Sequence, residues 1–328
     1  MPSQLGFWSA TPQHRPHFVT ATRIYTFSAV VPCYNAGEQL RITLDSLLSQ
    51  TVPLEEIIVV DDGSTDHSLS IANSYGGKVK VIHQINQGAA VARFTGVQRA
   101  TSDFIVFADA GDLSLPNRVE LFQSALTLDP SAIAVTAEVC APTKDGTIGA
   151  HIAPVRFTQP LTVLHSPLDY YTASTTPLAL AMNMAIKRSV AEKSCNVSNF
   201  YKASNDFVLQ AQTAQHGWFV HVSTCTVTYE PTPNGITAKY GIRRQIAYAL
   251  LATIKINEGA IPSQRKTALI NRLSHEWIDA TWQMLKHGEY KAAATIAKAC
   301  LTIMPLSAVA RSVVWTYHAA KTDSLSKR

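Results

Sequence analysis

Two short apolar segments near the start of the chain predict buried strands of a parallel sheet. Residues 27–31 and 57–60 are rich in Val and Ile, and both segments end abruptly in polar residues. Strands that are covered by helices on both faces have this continuous apolar pattern. The polar residues that follow should therefore lie at one edge of the sheet, where ligands bind in open α/β sheets.

The segments between the strands have the spacing of helices that pack on a sheet. The first stripe, at positions i, i+4, i+7 and i+8, consists of Leu40, Leu44, Leu47 and Leu48. The other elements predicted in this half are helices at 64–75, 88–100 and 116–126 and strands at 78–83, 103–107 and 132–139. Strands that alternate with helices indicate an α/β fold with a Rossmann-like, mostly parallel sheet flanked by helices.

The second half of the chain has a different pattern of apolar and polar residues. Residues 144–167 show no clear period, and helices alone are predicted after residue 240. The elements predicted here are a strand at 182–187 and helices at 204–216, 243–256, 264–287, 289–304 and 306–321. The predicted organisation is an N-terminal arm at 1–24, an α/β domain at 25–240 and an all-helical C-terminal region at 241–328.

Composition narrows the class of protein. The 328 residues are 46% hydrophobic and 16% charged, which is typical of a globular rather than a disordered chain. The net charge of +5 is mild, and no block of Lys and Arg indicates a nucleic-acid partner. The sequence has no signal-peptide pattern and no uncharged run as long as a membrane span. Its five cysteines are scattered, which predicts reduced thiols in the cytoplasm.

Polar and acidic side chains follow three of the predicted strands. Tyr34 follows the first strand, Asp61 and Asp62 follow the second, and Asp109 and Asp112 follow the strand at 103–107. Carboxylates at a shared sheet edge can accept hydrogen bonds from a base or a ribose, or hold a divalent cation that bridges a diphosphate. The alternatives are solvated turn acids after the second strand and a helix-capping acid at Asp112.

The order and spacing of these motifs resemble the opening of family 2 glycosyltransferases of the GT-A fold. The matching residues are Val31-Pro32-Cys33-Tyr34-Asn35, residues 46–51, Val60-Asp61-Asp62-Gly63-Ser64-Thr65-Asp66, Asn86-Gln87-Gly88, Ala92-Arg93 and Asp109-Ala110-Gly111-Asp112. The resemblance covers residues 27–125 strongly and 180–230 weakly. It implies an inverting transfer of a sugar from a nucleotide-diphosphate sugar, commonly UDP-linked, to a carbohydrate, lipid-linked or protein acceptor, as in polysaccharide biosynthesis.

The resemblance also implies roles for individual residues in binding the donor. Pro32 and Tyr34 would line the pocket of the nucleotide base, and Asp62 would accept a hydrogen bond from that base. Arg93 would lie near the donor phosphates. Asp109 would lie near the ribose and the metal.

The metal site implied by the resemblance departs from the family pattern. Asp109 stands at the first position of the Asp-x-Asp motif, but Gly111 occupies the position that usually supplies the main ligand. Asp112 follows one residue later and can substitute as a ligand of Mn²⁺ or Mg²⁺, since hard cations prefer carboxylate oxygens. The alternative function is a catalytically impaired nucleotide-sugar-binding or scaffold protein with the same fold.

Asp206 is the candidate general base. An inverting transfer needs a group that takes the proton of the acceptor hydroxyl as this hydroxyl attacks the anomeric carbon. In the family this carboxylate lies in an acidic pair that opens a helix, and Asn205-Asp206 stands at the matching position. The alternative for Asp206 is an acid that is stabilised in the first turn of a helix by the helix dipole.

The predicted C-terminal helices combine apolar faces with basic residues. These residues are Arg243, Arg244, Arg265, Lys266, Arg272 and Lys286. The favoured interpretation is a helical cap on the catalytic domain, and the alternative is a peripheral contact with a membrane surface. The expected location is the cytoplasm, at the inner membrane surface if the alternative holds.

Overall fold

The computed structural model describes residues 24–142, 148–150, 159–165, 167, 183–195, 205–228, 263–286, 288, 290–305 and 309. The predicted N-terminal arm and the predicted helices at 243–256 and 306–321 lie outside these residues, apart from Ile24 and Val309. The proposed division of the chain into three regions stays a prediction.

Strands and helices alternate along the first half of the chain, as predicted. The strands are β1 (Phe27–Cys33), β2 (Glu56–Asp61), β3 (Lys80–His83), β4 (Phe104–Phe107), β5 (Leu113–Ser114), β6 (Ala134–Pro142), β7 (Ile148–Ala150), β8 (Leu161–Leu164), β9 (Met184–Lys187) and β10 (Phe219–Thr228). The helices are α1 (Gln39–Leu48), α2 (Ser68–Ser74), α3 (Ala89–Arg99), α4 (Arg118–Leu128), α5 (Arg188–Ser194), α6 (Asn205–Thr213), α7 (Ser263–Lys286) and α8 (Tyr290–Ile303).

One mixed sheet contains the ten strands of the described residues. Eight of them lie in the order β3-β2-β1-β4-β9-β6-β10-β5, while β7 pairs with β6 and β8 pairs with β10. Strands β3, β2, β1 and β4 are parallel, which confirms the predicted Rossmann-like half. Strand β9 runs antiparallel between β4 and β6, and β10 is parallel to β6. The carboxyl ends of β1, β2, β4, β6 and β10 therefore lie at the same edge.

The core lies on both faces of this sheet because the central strands are buried throughout. Successive residues of a strand point to opposite faces. Val31 of β1 packs with Leu40 and Leu44 of α1 on one face, and Val30 packs with Val97 of α3 on the other. The apolar stripe predicted for α1 is correct except at its last position, where Leu48 is exposed.

Helix α2 begins later than the sequence pattern predicts. The predicted helix starts at residue 64 or 66, but the observed one starts at Ser68. The carboxylate of Asp66 accepts a hydrogen bond from the backbone N–H of Ser68 at 2.9 Å. Asp66 thus satisfies one of the first N–H groups of the helix from the preceding loop, as helix-capping acids do.

Four elements of the second half are absent from the sequence prediction. Strands β7 and β8 have only three and four residues and lie in or beside a segment without a clear period. Helix α5 is also short, with seven residues. In β10 the register shifts around Cys225, so the regular alternation of a strand is interrupted there. Such short or bulged elements depend on their neighbours in the sheet more than on their own pattern.

The expectation of reduced thiols is wrong for two of the five cysteines. The structure joins Cys140 of β6 to Cys225 of β10, with Cα atoms 5.9 Å apart. The two residues meet because β6 and β10 are neighbours in the sheet, although 85 residues separate them in the sequence. Cys33, Cys195 and Cys300 are free and buried.

Helices α7 and α8 confirm the helices predicted at 264–287 and 289–304. They pack against each other. The buried residues on them include Leu273, Ala280, Met284, Ile296 and Cys300. No helix among the described residues is long and apolar enough to cross a membrane.

Gly96 allows helix α3 to lie directly against strand β1. A Cβ atom at Gly96 would lie 2.4 Å from Cγ1 of Val30. Val30 is completely buried in the centre of the sheet. Any side chain at position 96 must therefore push α3 away from β1 or displace Val30.

We expect Gly96→Ala to lower the free energy of unfolding by about 1–3 kcal/mol, the usual cost of overpacking. This loss should appear even though Ala is better than Gly inside a helix by about 1 kcal/mol. Gly77→Ala is the control, because a Cβ atom there has no neighbour within 4 Å. It should change stability by no more than about 0.5 kcal/mol. Denaturant titration measures both changes, and wild-type stability in Gly96→Ala would contradict the close contact.

Candidate active site

The polar residues that follow β1, β2 and β4 lie at one edge of the sheet, as predicted. Cys33 of β1 pairs with Asp61 of β2, and Val30 pairs with Phe107 of β4. The loops that begin at Tyr34, Asp62 and Ala108 therefore leave the sheet side by side.

The loops after β1 and β2 are tied together by side chains. Asn35, with a φ of 49°, accepts a hydrogen bond from the backbone N–H of Thr65 at 2.8 Å. The N–H of Asn35 in turn donates to Oγ of Ser64 at 3.0 Å. This arrangement leaves Tyr34 53% exposed at the edge, while Pro32 is buried within β1.

The carboxylate of Asp62 holds the loop that leads into α3. Its Oδ1 accepts hydrogen bonds from Nε2 of Gln84 at 2.7 Å and from the N–H of Gln87 at 2.8 Å. Its Oδ2 accepts one from the N–H of Gly88 at 2.7 Å. An ionised carboxylate offers about four acceptor positions. These contacts occupy three positions of Asp62, which is 2% exposed.

Asp61, the neighbour of Asp62, belongs to a different environment. It is completely buried, and its Oδ2 lies 2.7 Å from Nδ1 of His83 on β3. Adjacent residues at the end of a strand point to opposite faces. Only one acid of the pair therefore reaches the loop before α3.

Thr43 fixes the loop that carries the second group of acids. Its hydroxyl accepts a hydrogen bond from the N–H of Gly111 at 2.9 Å. It also donates to the carbonyl oxygen of Asp112 at 2.9 Å, and the carbonyl oxygen of Asp109 lies 3.2 Å away. One buried hydroxyl on α1 thus determines the course of residues 109–112.

Gly111 has a backbone conformation that side chains disfavour. Its φ is 111°, outside the regions that residues with a Cβ atom readily adopt. An Asp at this position, as in the family pattern, would be strained by about 1–3 kcal/mol with this loop conformation. The course of this loop therefore suits a Gly at position 111 better than the Asp of the family pattern.

Arg93 brings two of the predicted site residues together. Its Nη2 donates a hydrogen bond to Oδ1 of Asp109 at 2.6 Å, and its Nη1 lies 3.2 Å from Oδ1 of Asp206. The side chain of Arg93 is 7% exposed, whereas those of Asp109 and Asp206 are 30% and 24% exposed. The two acids are therefore accessible from the edge, and the guanidinium lies beneath them.

The electrostatics of this cluster suit proton transfer. Burial raises the pKa of Asp206, Arg93 opposes this rise, and Asp109 adds to it. Although burial disfavours a charged guanidinium, Asp109 and Asp206 raise the pKa of Arg93 above its usual value. A carboxylate with a raised pKa is a better general base than a solvated one.

Asp112 lies deeper than Asp109. Burial and the charge of Asp109 raise the pKa of Asp112 to about 8, against the opposing effect of Arg118. Arg118 is completely buried and donates to the carbonyl oxygen of Phe107 at 2.8 Å and to Oγ of Ser114 at 2.9 Å. Near neutral pH the neutral form of Asp112 is therefore favoured. Its buried Oδ2 has no hydrogen-bond partner among the described residues.

The described residues do not fit a divalent cation that is held by the protein alone. Oδ1 of Asp109 accepts a hydrogen bond from Arg93, and Gly111 offers no side chain. Nowhere in the described part of the chain do three His, Cys, Asp or Glu side chains form a group that could hold a metal. The predicted cation with Asp109 and Asp112 as ligands stays a prediction.

Thr43 is a site residue that the sequence analysis misses. Thr43 lies in the apolar stripe of α1, between Leu40 and Leu44. A polar residue within such a stripe needs a buried partner, so this interruption is a signal that can be found in the sequence.

A family model and several curated proteins match parts of this chain. The family model described as Glycosyl transferase family 2 matches residues 28–194. The "Uncharacterized glycosyltransferase YibD" of Escherichia coli (strain K12) is 40% identical over 117 residues, 34% of this chain and 34% of the relative. The "Glycosyltransferase GlyG" of Streptococcus pneumoniae is 38% identical over 111 residues, 32% of this chain and 37% of the relative. The matched part of the chain thus spans about a third of the length of these curated relatives.

Solved structures share the fold over most of the chain. S. aureus TarS, residues 1–349 in complex with UDP, has a TM-score of 0.54 and 17% identity, covering 85% of this chain and 90% of that one. The same protein in complex with UDP-GlcNAc has a TM-score of 0.55 and 14% identity, covering 84% and 91%. At these identities the likeness is one of fold, and it confirms the predicted GT-A architecture.

We expect Thr43→Val to lower the free energy of unfolding by about 1–3 kcal/mol, because it leaves the N–H of Gly111 and the carbonyl of Asp112 without their buried partner. Thr43→Ser is the matched control, since it keeps the hydroxyl and removes one methyl group. Chemical denaturation should therefore rank the valine variant below the serine variant. Equal stability of Thr43→Val and the wild type would contradict the role of the hydroxyl.

Proposed function

The chain belongs to glycosyl transferase family 2, and from this premise we propose that it moves a sugar, with inversion, from a UDP-linked sugar to a hydroxyl acceptor. The observation that carries the proposal is the position of Asp206. Arg93 contacts both Asp206 and Asp109, so the two carboxylates lie near each other. The loops after β1 and β2 leave the sheet at the same edge. A candidate base and the candidate donor residues thus share one site.

The donor half of the proposal rests on Tyr34 and Asp62. The exposed ring of Tyr34 offers a face on which a base can stack, and the resemblance implies that Asp62 accepts a hydrogen bond from that base. TarS, which shares the fold, binds UDP and UDP-GlcNAc. These observations support uridine as the base and a diphosphate sugar as the donor. Arg93 and Asp109 lie further along the same edge, where the resemblance implies the phosphates and the ribose.

In the proposed reaction Asp206 takes the proton of the acceptor hydroxyl. The oxygen of this hydroxyl forms the new bond to the anomeric carbon on the face opposite the diphosphate. The bond between that carbon and the diphosphate oxygen breaks, and UDP leaves with the electron pair. The raised pKa of Asp206 favours the transfer, because a base whose pKa is close to the working pH accepts a proton most efficiently.

The proposal also covers the acceptor, the cofactor and the C-terminal helices. We infer a carbohydrate, lipid-linked or protein acceptor, as in polysaccharide biosynthesis at the cytoplasmic face of a membrane. The resemblance implies a divalent cation, which would neutralise charge on the leaving diphosphate. Its predicted ligands are Asp109 and Asp112, although the described residues do not complete a set of three. The C-terminal helices are proposed as a cap, with membrane contact as the alternative.

A second candidate function is a binding or scaffold protein with impaired catalysis. One observation favours it, namely Gly111 at the position that usually supplies the main metal ligand. Both candidates require donor binding, and only the first requires Asp206 to act. Measurements of binding and of turnover therefore separate them.

We expect UDP to raise the melting temperature of the protein, because a ligand that binds only the folded state stabilises it, by about 2.7 kcal/mol at a hundredfold excess over Kd. Tyr34→Ala should weaken UDP binding about tenfold or more, since stacking of a base on an aromatic ring contributes about 1–3 kcal/mol. Thermal shift titrations with UDP measure both effects.

Tyr290→Ala is the matched control, because it removes an exposed tyrosine from α8, outside the sheet edge. It should leave the UDP titration unchanged. A wild type whose melting temperature does not respond to UDP or to any other nucleoside diphosphate would rule out the donor pocket under both candidate functions.

We expect Asp206→Asn to lower turnover of a UDP-sugar by roughly two to four orders of magnitude, the usual contribution of a general base. UDP binding should be retained, because the change keeps the shape of the side chain. The measurement is UDP release with a panel of UDP-hexoses and UDP-N-acetylhexosamines, followed by kinetics with the best donor.

Glu120→Gln tests the alternative that Asp206 is only a first-turn acid that interacts favourably with the dipole of its helix. Glu120 lies in the first turn of α4 as Asp206 lies in the first turn of α6, so each variant should lose a dipole contribution of about 0.3–1 kcal/mol. Asp206→Asn also weakens the ion pair with Arg93, so its total loss of stability should be larger. Only Asp206→Asn should lose turnover. Full activity in Asp206→Asn would remove Asp206 as the base.

A further inference from the structure

Arg93 is a buried cation whose position between two acids calls for a specific role. It lies on α3, and its two terminal nitrogens contact Asp109 at 2.6 Å and Asp206 at 3.2 Å. Its Nε is also buried and has no hydrogen-bond partner among the residues that the structure describes. The guanidinium thus directs its two hydrogen-bonding ends to the two acids.

The two acids come from distant parts of the chain. Asp109 follows β4, whereas Asp206 opens α6, and 97 residues separate them in the sequence. A guanidinium is planar and presents its donors in a rigid fork, so it holds two carboxylates at a fixed separation. A lysine ammonium is a point charge and does not impose this geometry.

We propose that Arg93 is a positioning residue that holds the carboxylate of Asp206 at a fixed place beside Asp109. The inference rests on the proposed function, in which Asp206 is the base. A base must lie within hydrogen-bond reach of the hydroxyl that it deprotonates, and a misplacement of about 1 Å can cost a hundredfold in rate. Arg93 therefore acts on the reaction through Asp206.

This role differs from phosphate binding, which the resemblance implies for Arg93. An arginine that binds a phosphate uses its Nη groups for the phosphate oxygens. In the structure both Nη groups face carboxylates instead. Loss of a phosphate ligand would weaken donor binding, whereas loss of a positioning residue would lower kcat and leave the binding of UDP nearly unchanged.

The charges around the cluster agree with this role. The carboxylate of Asp206 faces Arg93 from α3 and Asp109 from the loop after β4, and Asp112 lies deeper behind Asp109. The thiol of Cys195 at the end of α5 lies near Arg93 as well, and burial raises its pKa to about 12, which keeps it neutral. Arg93 is thus the charge that offsets burial at Asp206 and keeps this acid available as a base.

A double-mutant cycle tests the inference with Arg93→Met, Asp206→Asn and the double variant. In the wild-type background Arg93→Met should lower kcat about 10- to 100-fold, with KM for the best UDP-sugar and the thermal shift with UDP within about twofold. In the Asp206→Asn background the same change should lower the residual kcat less than threefold, because the group on which Arg93 acts is already absent.

Arg93→Lys provides the conservative variant and guards against misfolding. Arg93→Met leaves two partly buried carboxylates without their cation, which can unfold the protein, so circular dichroism and the UDP thermal shift check each variant. Arg93→Lys keeps the charge but not the fork, and should recover part of the turnover. If Arg93→Met does not fold, the cycle is run with Arg93→Lys. This substitution, too, should lower kcat in the wild-type background but have little effect on kcat in the Asp206→Asn background.

The outcomes separate this inference from the proposed function. Full activity in Asp206→Asn would remove the base and the inference together. If Asp206→Asn is impaired but the substitution of Arg93 lowers kcat equally in both backgrounds, Arg93 does not act through Asp206. A loss of UDP binding of tenfold or more, with kcat retained, would assign Arg93 to the donor phosphates. Either of the last two results overturns the inference and leaves Asp206 in place.

Discussion

The pairing of β1 with β2 on one side and β4 on the other is the constraint on which the site depends. All three strands are parallel and buried, so their carboxyl ends meet at one edge with fixed neighbours. Burying a polar side chain without a partner is costly, so most polar residues begin where these strands end. Tyr34, Asp62 and Asp109 share an edge for this reason. Helix α1 completes the edge by placing Thr43 under the loop after β4.

The buried arginines at this edge lie against carboxylates and other oxygen atoms. Arg93 lies against Asp109 and Asp206, while Arg118, with Asp112 nearby, donates to oxygen atoms of Phe107 and Ser114. Burying an ion without compensation costs several kcal/mol, so each guanidinium needs such partners. The same partners affect the pKa values of the acids. Burial raises the pKa values of Asp112 and Asp206, and Arg118 and Arg93 limit the rise. Under the proposed function, folding and catalysis would depend on the same contacts.

The loop after β4 separates this chain from the pattern of its family. Gly111 adopts a φ of 111°, and its N–H is held by Thr43. A metal-binding side chain is missing at that position, and the neighbouring Asp112 favours its neutral form. Under the proposed function the proton transfer at Asp206 does not depend on this position.

The sequence by itself determined the alternation of strands and helices, and with it the edge at which Tyr34, Asp62 and Asp109 lie. These features are local, since a run of apolar residues and the polar residue that ends it are adjacent in the chain. Only the tertiary structure decided that Arg93 contacts Asp206. It also decided the pairing of Cys140 with Cys225, against the expectation of free thiols. Contacts of this kind depend on strand order and register across many residues, which no local pattern encodes.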